Sequence, residues 1–318
     1  MTYVPLSSFD PLFFLHHAMT DRLFTMWQIL NPTAWIEPMA AGETTFTSLK
    51  GTMQSSTTPL TPFYSSEDGK FWTSDGARTT DAFGYTYADT FSQPGNGEAV
   101  RQTLVKKINS LYGASSPMGM QAKAKQRPTS QIVRPRGTWM RKDRRDINQR
   151  FQPNIKMAVM DASVEAVVQD NRYQEWIANV QVNVEALDGR FSVHLFLGSP
   201  PGDPKKWDSA QNQIGSVAIF AMNRMTGSQS KISGALPLTT ALMKMVAAGE
   251  LSGLSAEHVV PFLKQNLEMR IQGSDDLAVD PNTVDGLGIN VSSANVTVPM
   301  DDTALPEWED AVIQMQVW

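Results

Sequence analysis

No cysteine occurs among the 318 residues. Disulfides, thiolate zinc sites, iron–sulfur clusters and cysteine nucleophiles are therefore excluded. Histidine is almost as scarce. His16, His17, His194 and His258 are the four present, and they cap histidine-based metal chemistry at that number. No apolar run of about 18 residues exists, so no hydrophobic helix spans a membrane. The opening residues, Met1-Thr-Tyr-Val-Pro-Leu-Ser-Ser, lack the basic and apolar regions of a secretory signal. The expectation is a cytoplasmic protein, unless the true start lies elsewhere. Charge is also modest: charged residues make up 19% and the net charge is −5, which does not suit a chain-wide polyanion binder.

What remains is ample for folding. Hydrophobic residues make up 41%, enough for a sizeable core, and the length accommodates two ordinary domains. Residues 7–30 are dense in apolar and aromatic side chains at helical spacing. Residues 31–100 are rich in Thr, Ser, Gly and Pro and read mostly as loops. A short amphipathic helix is expected over 101–112, with Leu104, Ile108 and Leu111 on one side.

Between Lys123 and Arg150, ten Lys/Arg stand against Asp143 and Asp146. Few apolar residues interrupt them, so residues 114–150 read as an exposed, protease-sensitive linker. The basic run lacks the interleaved aromatics or recognition helix that nucleic-acid binding would call for.

From Phe151 the pattern turns to period two. Ala178, Val180, Val182 and Val184 alternate with Asn179, Gln181, Asn183 and Glu185. Asp188-Gly189 follows, a hairpin signal, and Phe191, Val193, Leu195 and Leu197 alternate with Ser192 and His194. Further strands are expected at 215–221, 231–237, 266–272, 288–298 and 310–318. Two short helices intervene, one from Thr239 with Leu242, Met243 and Val246, one capped by Ser255 with Val259, Val260 and Leu263. The C-terminal half is predominantly β, a sandwich or barrel.

The stretch that carries chemistry is Phe9-Asp-Pro-Leu-Phe-Phe-Leu-His-His-Ala-Met-Thr-Asp-Arg-Leu-Phe-Thr-Met-Trp-Gln28. Asp10 suits the N-cap and Pro11 the first helical position. The helix is apolar nearly all round, which predicts burial. His17, Asp21 and Gln28 nevertheless form a polar line at i, i+4 and i+11, and such a line needs partners. Asp21, one turn beyond His17, either holds a neighbouring element or orients the histidine. His16 points about 100° away, so the two histidines do not share one metal. From spacing alone, a satisfied core histidine with a capping aspartate stays open beside a metal ligand.

The whole string, Asp10, Pro11, Phe13, His16, His17, Asp21, Arg22 and Trp27, resembles the second copper-binding signature of tyrosinases, catechol oxidases and molluscan haemocyanins, the type-3 copper proteins. Met19 departs from the residue this family often has there. Tyr85 and Tyr87, in Phe83-Gly-Tyr-Thr-Tyr87, resemble the tyrosine motif that closes the catalytic domain of fungal tyrosinases; an ordinary aromatic strand end is the bland alternative. Tyr173-Gln-Glu-Trp-Ile-Ala-Asn, Val193-His-Leu-Phe-Leu-Gly198 and Gly234-Ala-Leu-Pro-Leu-Thr-Thr-Ala-Leu242 resemble their C-terminal cap domain.

The resemblance implies a mixed fold: the end of an α-helical copper bundle over 1–113, the linker at 114–150, and a predominantly β cap over 151–318. It implies His17 as a copper ligand, with His16, Asp21, Asp10 and Phe13 in support. In the parent protein the cofactor is dinuclear copper, and the substrates are phenols or catechols and O2, oxidised to o-quinones for melanin-type pigment. A type-3 site takes six histidines, and this chain offers one from the signature. The remaining five would come from upstream helices, so the chain is expected to be inactive alone. Phe220 is the candidate cap residue in the substrate pocket, against a buried strand residue. Met222 and Met225 are a speculative Cu(I) pair in place of a cap-region Cys-x-x-Cys, against simple core packing. A standalone shielding or interaction module and an oxygen carrier are the competing readings.

Overall fold

The computed structural model of the protein describes residues 4–42, 44–91, 97–112, 167–220, 231–301 and 303–318. They fall into two compact units, one within Met1–Lys106, the other within Lys107–Ala221 and Lys231–Trp318. The linker expected at 114–150 lies outside the described residues, as do Met222 and Met225. Among the described residues no helix is long and apolar enough to cross a membrane.

In the first unit a 3₁₀ turn, Val4–Phe9, leads into helix α1, Pro11–Leu30. The Asp10 side chain accepts from Leu12 N at 2.9 Å, and Pro11 opens the first turn where its missing N–H costs nothing. Asn31 closes the helix, its N–H and its side-chain amide both donating to Trp27 O at 2.9 Å. Turns follow, with one minimal ladder, β1 (Met39–Ala40) against β2 (Met53–Gln54). Helix α2, Gly97–Tyr112, begins in this unit and ends in the next, and it starts four residues earlier than the sequence pattern predicts.

The expected burial of α1 does not hold. None of its described side chains is buried, and Phe14 and Leu15 are 61% and 66% exposed. The loops of this unit half-bury Met26, Ile29 and Leu30 near its C-terminal end and leave most of its other apolar side chains exposed. An all-round apolar helix buries itself only when other helices surround it.

The second unit is mostly β, as expected, so the chain is of mixed class. One sheet has the order β10-β9-β3-β6, built from β3 (Arg172–Asn183), β6 (Lys231–Pro237), β9 (Gly288–Thr297) and β10 (Glu307–Trp308). β11 (Val312–Gln316) shares the far edge of β9 with β10. The other sheet runs β5-β4-β7-β8, from β4 (Phe191–Leu197), β5 (Gln213–Ile219), β7 (Leu267–Gln272) and β8 (Ala278–Val279). Their facing sides share one core that includes Trp176, Val180, Val193, Leu195, Ile271 and Val291.

The expected hairpin across Asp188-Gly189 is corrected. Both edges of β3 are occupied, by β9 and by β6, and both edges of β4 by β5 and β7. The intervening loop crosses from one sheet to the other. Gly189, at φ +87°, supplies the left-handed turn that Asp-Gly signals, but that turn joins sheets rather than neighbouring strands.

The two helices of this unit are where their patterns place them, α3 at Thr239–Ala248 and α4 at Ala256–Asn266. Trp176 ties them to β3. Its N–H donates to Thr239 Oγ1 and its indole N–H to Leu254 O, both at 2.8 Å. Ser255 occupies the N-cap of α4 but makes no capping bond to its backbone, because its hydroxyl faces His258 Nδ1 at 2.8 Å.

Candidate metal centre and its tyrosine clamp

His17 lies on the exposed middle of α1. Its Nδ1 is 2.7 Å from Phe13 O, one turn back. A carbonyl can only accept, so Nδ1 carries a proton, and in the neutral ring the lone pair is then on Nε2. The ring also lies against Phe13, with centroids 3.9 Å apart and the two planes tilted by 34°. A histidine whose second nitrogen donates to a backbone carbonyl is the common form of a metal ligand, since that bond sets both tautomer and ring direction. His16 stands at 5.3 Å between ring centroids and 72° to His17, as the helical step predicts.

Asp21 does not perform that orienting task. Its Oδ2 accepts from Tyr85 OH at 2.7 Å and from Tyr87 OH at 2.6 Å. The Tyr87 hydroxyl also approaches Ala18 O at 3.2 Å. Of the two roles open from the sequence, the structure therefore selects the holding of a neighbouring element. Phe13 takes the other role, fixing His17 through its carbonyl and its ring.

The rest of the polar line is satisfied in the same way. Gln28 donates to Arg78 O at 3.2 Å. Arg22, one residue beyond Asp21, forms an ion pair with the well-buried carboxylate of Asp89. The Arg78 guanidinium lies 4.5 Å from the Trp35 ring, whose indole N–H donates to Asp75 Oδ1 at 2.7 Å. Arg78, Tyr85, Tyr87 and Asp89 are thus fastened to α1, and Asp75 and Arg78 to Trp35 just beyond it. Sequence reasoning singled out Asp21, Tyr85 and Tyr87 but did not join them. Arg22–Asp89 was missed altogether, although an arginine within an apolar helix requires an acceptor.

The electrostatics follow from the shared carboxylate. Burial, then the bond to Asp21, pushes the Tyr85 hydroxyl up to about 12. Tyr87 is raised as well, chiefly by its bond to Asp21. Both tyrosines stay protonated donors across the physiological range. A cleft of about 520 Å³ opens beside this clamp, lined by Gln28, Arg78, Asp81, Tyr85 and Phe91 among others, and His17 is not part of its wall.

Copper fits His17 as one ligand and no more within this unit. Among the described residues no group of three or more His, Asp or Glu gathers as a metal site. His194 and His258 lie in the second unit, in β4 and α4. Phe220 directly follows β5 and is 55% exposed, so the alternative of a buried strand residue fails there.

A helix N-capped at Asp-Pro, a paired histidine with a bare Nε2, a carboxylate clamped by two tyrosines and a two-sheet β unit define the class. Residues 1–30 match the family model described as the common central domain of tyrosinase, and residues 175–291 that of the tyrosinase C-terminal domain. The chain belongs to the tyrosinase family of type-3 copper proteins, matching the C-terminal portion of its fungal members.

Within that family it is 28% identical to a tyrosinase of Neurospora crassa over 97% of this chain and 54% of the relative. It is 30% identical to a tyrosinase of Podospora anserina, over 77% of this chain and 46% of the relative. The chain spans about half the length of the curated relatives it matches. Its fold resembles that of a mushroom tyrosinase crystallised in latent and active forms, with a TM-score of 0.66 at 20% identity, covering 98% of this chain and 50% of that one.

Proposed function

We propose that this chain serves as the C-terminal part of a copper-dependent phenol or catechol oxidase producing o-quinones for melanin-type pigment. The observation that carries the reading is His17, with its Nε2 bare, on a helix whose polar line is fastened by Tyr85 and Tyr87. His17 supplies one copper ligand through Nε2. Phe13 sets the direction of its ring, while Asp10 starts the helix and His16 borders the site. Asp21 and the tyrosines hold the domain-closing segment against α1. Bound as a pair, copper ions activate O2 for two-electron oxidation of the substrate. A six-histidine centre exceeds the four histidines of this chain, so at least two ligands come from polypeptide outside these 318 residues, and in this reading all but His17 do.

In this reading the organisation is 1–113 as the end of the copper domain, 114–150 as a linker open to proteolysis, and 151–318 as a shielding cap. Phe220 is its candidate residue for the substrate pocket, an assignment to which its exposure is suited. A standalone interaction module would leave the apolar faces of α1 to an unrelated partner, and nothing in the described residues specifies one.

The test is complementation. The chain is supplied with copper and catechol, alone and co-expressed with the segment of the Neurospora relative that precedes the matched region. No quinone is expected from the chain alone, and quinone formation is expected from the pair, abolished by His17→Ala. Turnover by the chain alone at an enzymatic rate, or a pair indifferent to His17→Ala, overturns the proposal.

A further inference from the structure

His194 lies on the outer side of the β5-β4-β7 sheet, away from the main core, yet it is 1% exposed. What covers it is the loop between β4 and β5. Trp207, from that loop, packs edge-on against the His194 ring at 5.5 Å and against Phe196 at 6.1 Å. The loop is held down by bonds to its own backbone and to β7. The indole N–H of Trp207 donates to Pro201 O at 2.8 Å, and Gln272 donates to Pro204 O at 3.2 Å.

The ring's polar contacts are lopsided. Gln213 Nε2 is 3.0 Å from His194 Nδ1, and an amide N–H only donates, so Nδ1 is the acceptor and the ring proton sits on Nε2. Nε2 is buried without a hydrogen-bond partner. Asp208 Oδ1, on the covering loop, stands 3.6 Å from Nδ1, and Gln213 Nε2 lies 3.4 Å from that same oxygen.

We propose that His194 is a proton-operated latch for the Trp207 loop, closed while the imidazole is neutral and released when it takes up a proton. With a proton on Nδ1 the bond from Gln213 is lost, and a cationic ring is trapped against Phe196 and Trp207. Opening the loop hydrates the cationic ring, although it also carries Asp208 away from Nδ1. The groups around it have different effects. Asp208 favours the cation. From β7, Arg270 is the register partner of His194 and opposes a second positive charge, although its guanidinium is bonded to Glu268 and to Met269 O. β5 presents the neutral Gln213 and Ser216. Asp203, Lys205 and Lys206 lie in the exposed arm of the loop.

Burial outweighs the other influences and holds the histidine below its ordinary value, against the opposing pull of Asp208 and Gln272. A folded value below the unfolded one means that the closed form binds fewer protons. Its stability is complete at neutral pH and falls as pH drops through the ordinary histidine range.

The experiment is hydrogen exchange of the full chain read by mass spectrometry, at about pH 7.5 and about pH 5, corrected for intrinsic rates. Peptides covering 198–213 are expected to lose protection severalfold at the lower pH, the direction that a depressed histidine value dictates. Peptides from β3 and β9 are expected to hold. His194→Phe fills the site without titrating and should remove the pH dependence. Asp208→Asn withdraws the carboxylate that favours the cation in the closed form, lowers the closed-form value further and should deepen the loss at the lower pH. If His194→Phe does not fold, the deeper loss in Asp208→Asn alone decides. Protection of the loop that is independent of pH, or a pH dependence unchanged by Asp208→Asn, overturns the latch.

Discussion

Tyr85 and Tyr87 donate to one carboxylate oxygen of Asp21, yet their hydroxyls are raised for different leading reasons. For Tyr85 burial comes first and Asp21 second; for Tyr87 the bond to Asp21 comes first. Asp21→Asn should therefore return Tyr87 toward the ordinary tyrosine value while leaving Tyr85 raised. Spectrophotometric titration of the tyrosinates, with Tyr85→Phe and Tyr87→Phe for assignment, reads both. Equal downward shifts of the two would show that the ranking is wrong. The linkage has a definite sign. A folded value above the unfolded one stabilises the first unit below about pH 10, and the contribution is lost as pH climbs toward about 12 for Tyr85. The clamp was half legible beforehand. Asp21 was visible as a polar residue in an apolar helix, and the tyrosines as a motif. Their meeting was not, because a contact across more than sixty residues of loop has no local periodicity to announce it.

At the scale of elements, α1 was readable almost to the residue because Asp10, Pro11 and the apolar run act locally. The strand positions in the second half were likewise close to their alternation patterns. The pairing was not, since Asp-Gly specifies a turn and leaves open which strand the chain joins next. The two sheets meet instead at a corner between β5 and β6 that glycine makes possible. A Cβ on Gly234 would stand 2.5 Å from Val217 Cγ1, and one on Gly215 would stand 3.0 Å from Leu236 Cδ2. Gly234→Ala should cost about 1–3 kcal/mol by overpacking, which for a unit of this size lowers the melting temperature by about 2–4 °C per kcal/mol. Val217→Ala vacates that space. The double variant should therefore be less destabilised than the sum of the singles by more than about 0.5 kcal/mol. Strict additivity in thermal melts would mean that the corner relaxes without the glycine. Gly215→Ala should be milder, because the atom it meets is the end of a flexible leucine rather than a branched side chain at its root.

For the whole molecule, the burial that the sequence demanded of α1 and the exposure that the structure shows are two sides of one fact. Phe14, Leu15, Leu23 and Phe24 are all exposed; Leu15 and Leu23 point away from the polar line, while Phe14 and Phe24 share its side, about two turns before and one turn after Asp21. Burying one such side chain is worth about 1.5–3 kcal/mol, so a face of this kind represents a large unrealised stabilisation. If it is the inner face of a helical bundle completed by other polypeptide, charge placed on it should have opposite consequences in two settings. Phe14→Glu and Leu15→Glu should leave the melting of the isolated chain within about 0.5 kcal/mol of wild type, as exposed positions normally do, and should lower its binding of an apolar dye. The same substitutions should abolish quinone formation in the complementation assay, because a carboxylate would then be buried without a partner. Activity in that assay equal to wild type would mean that this face stays open to solvent in the assembled enzyme, and His17 would then lack the bundle that the copper reading requires.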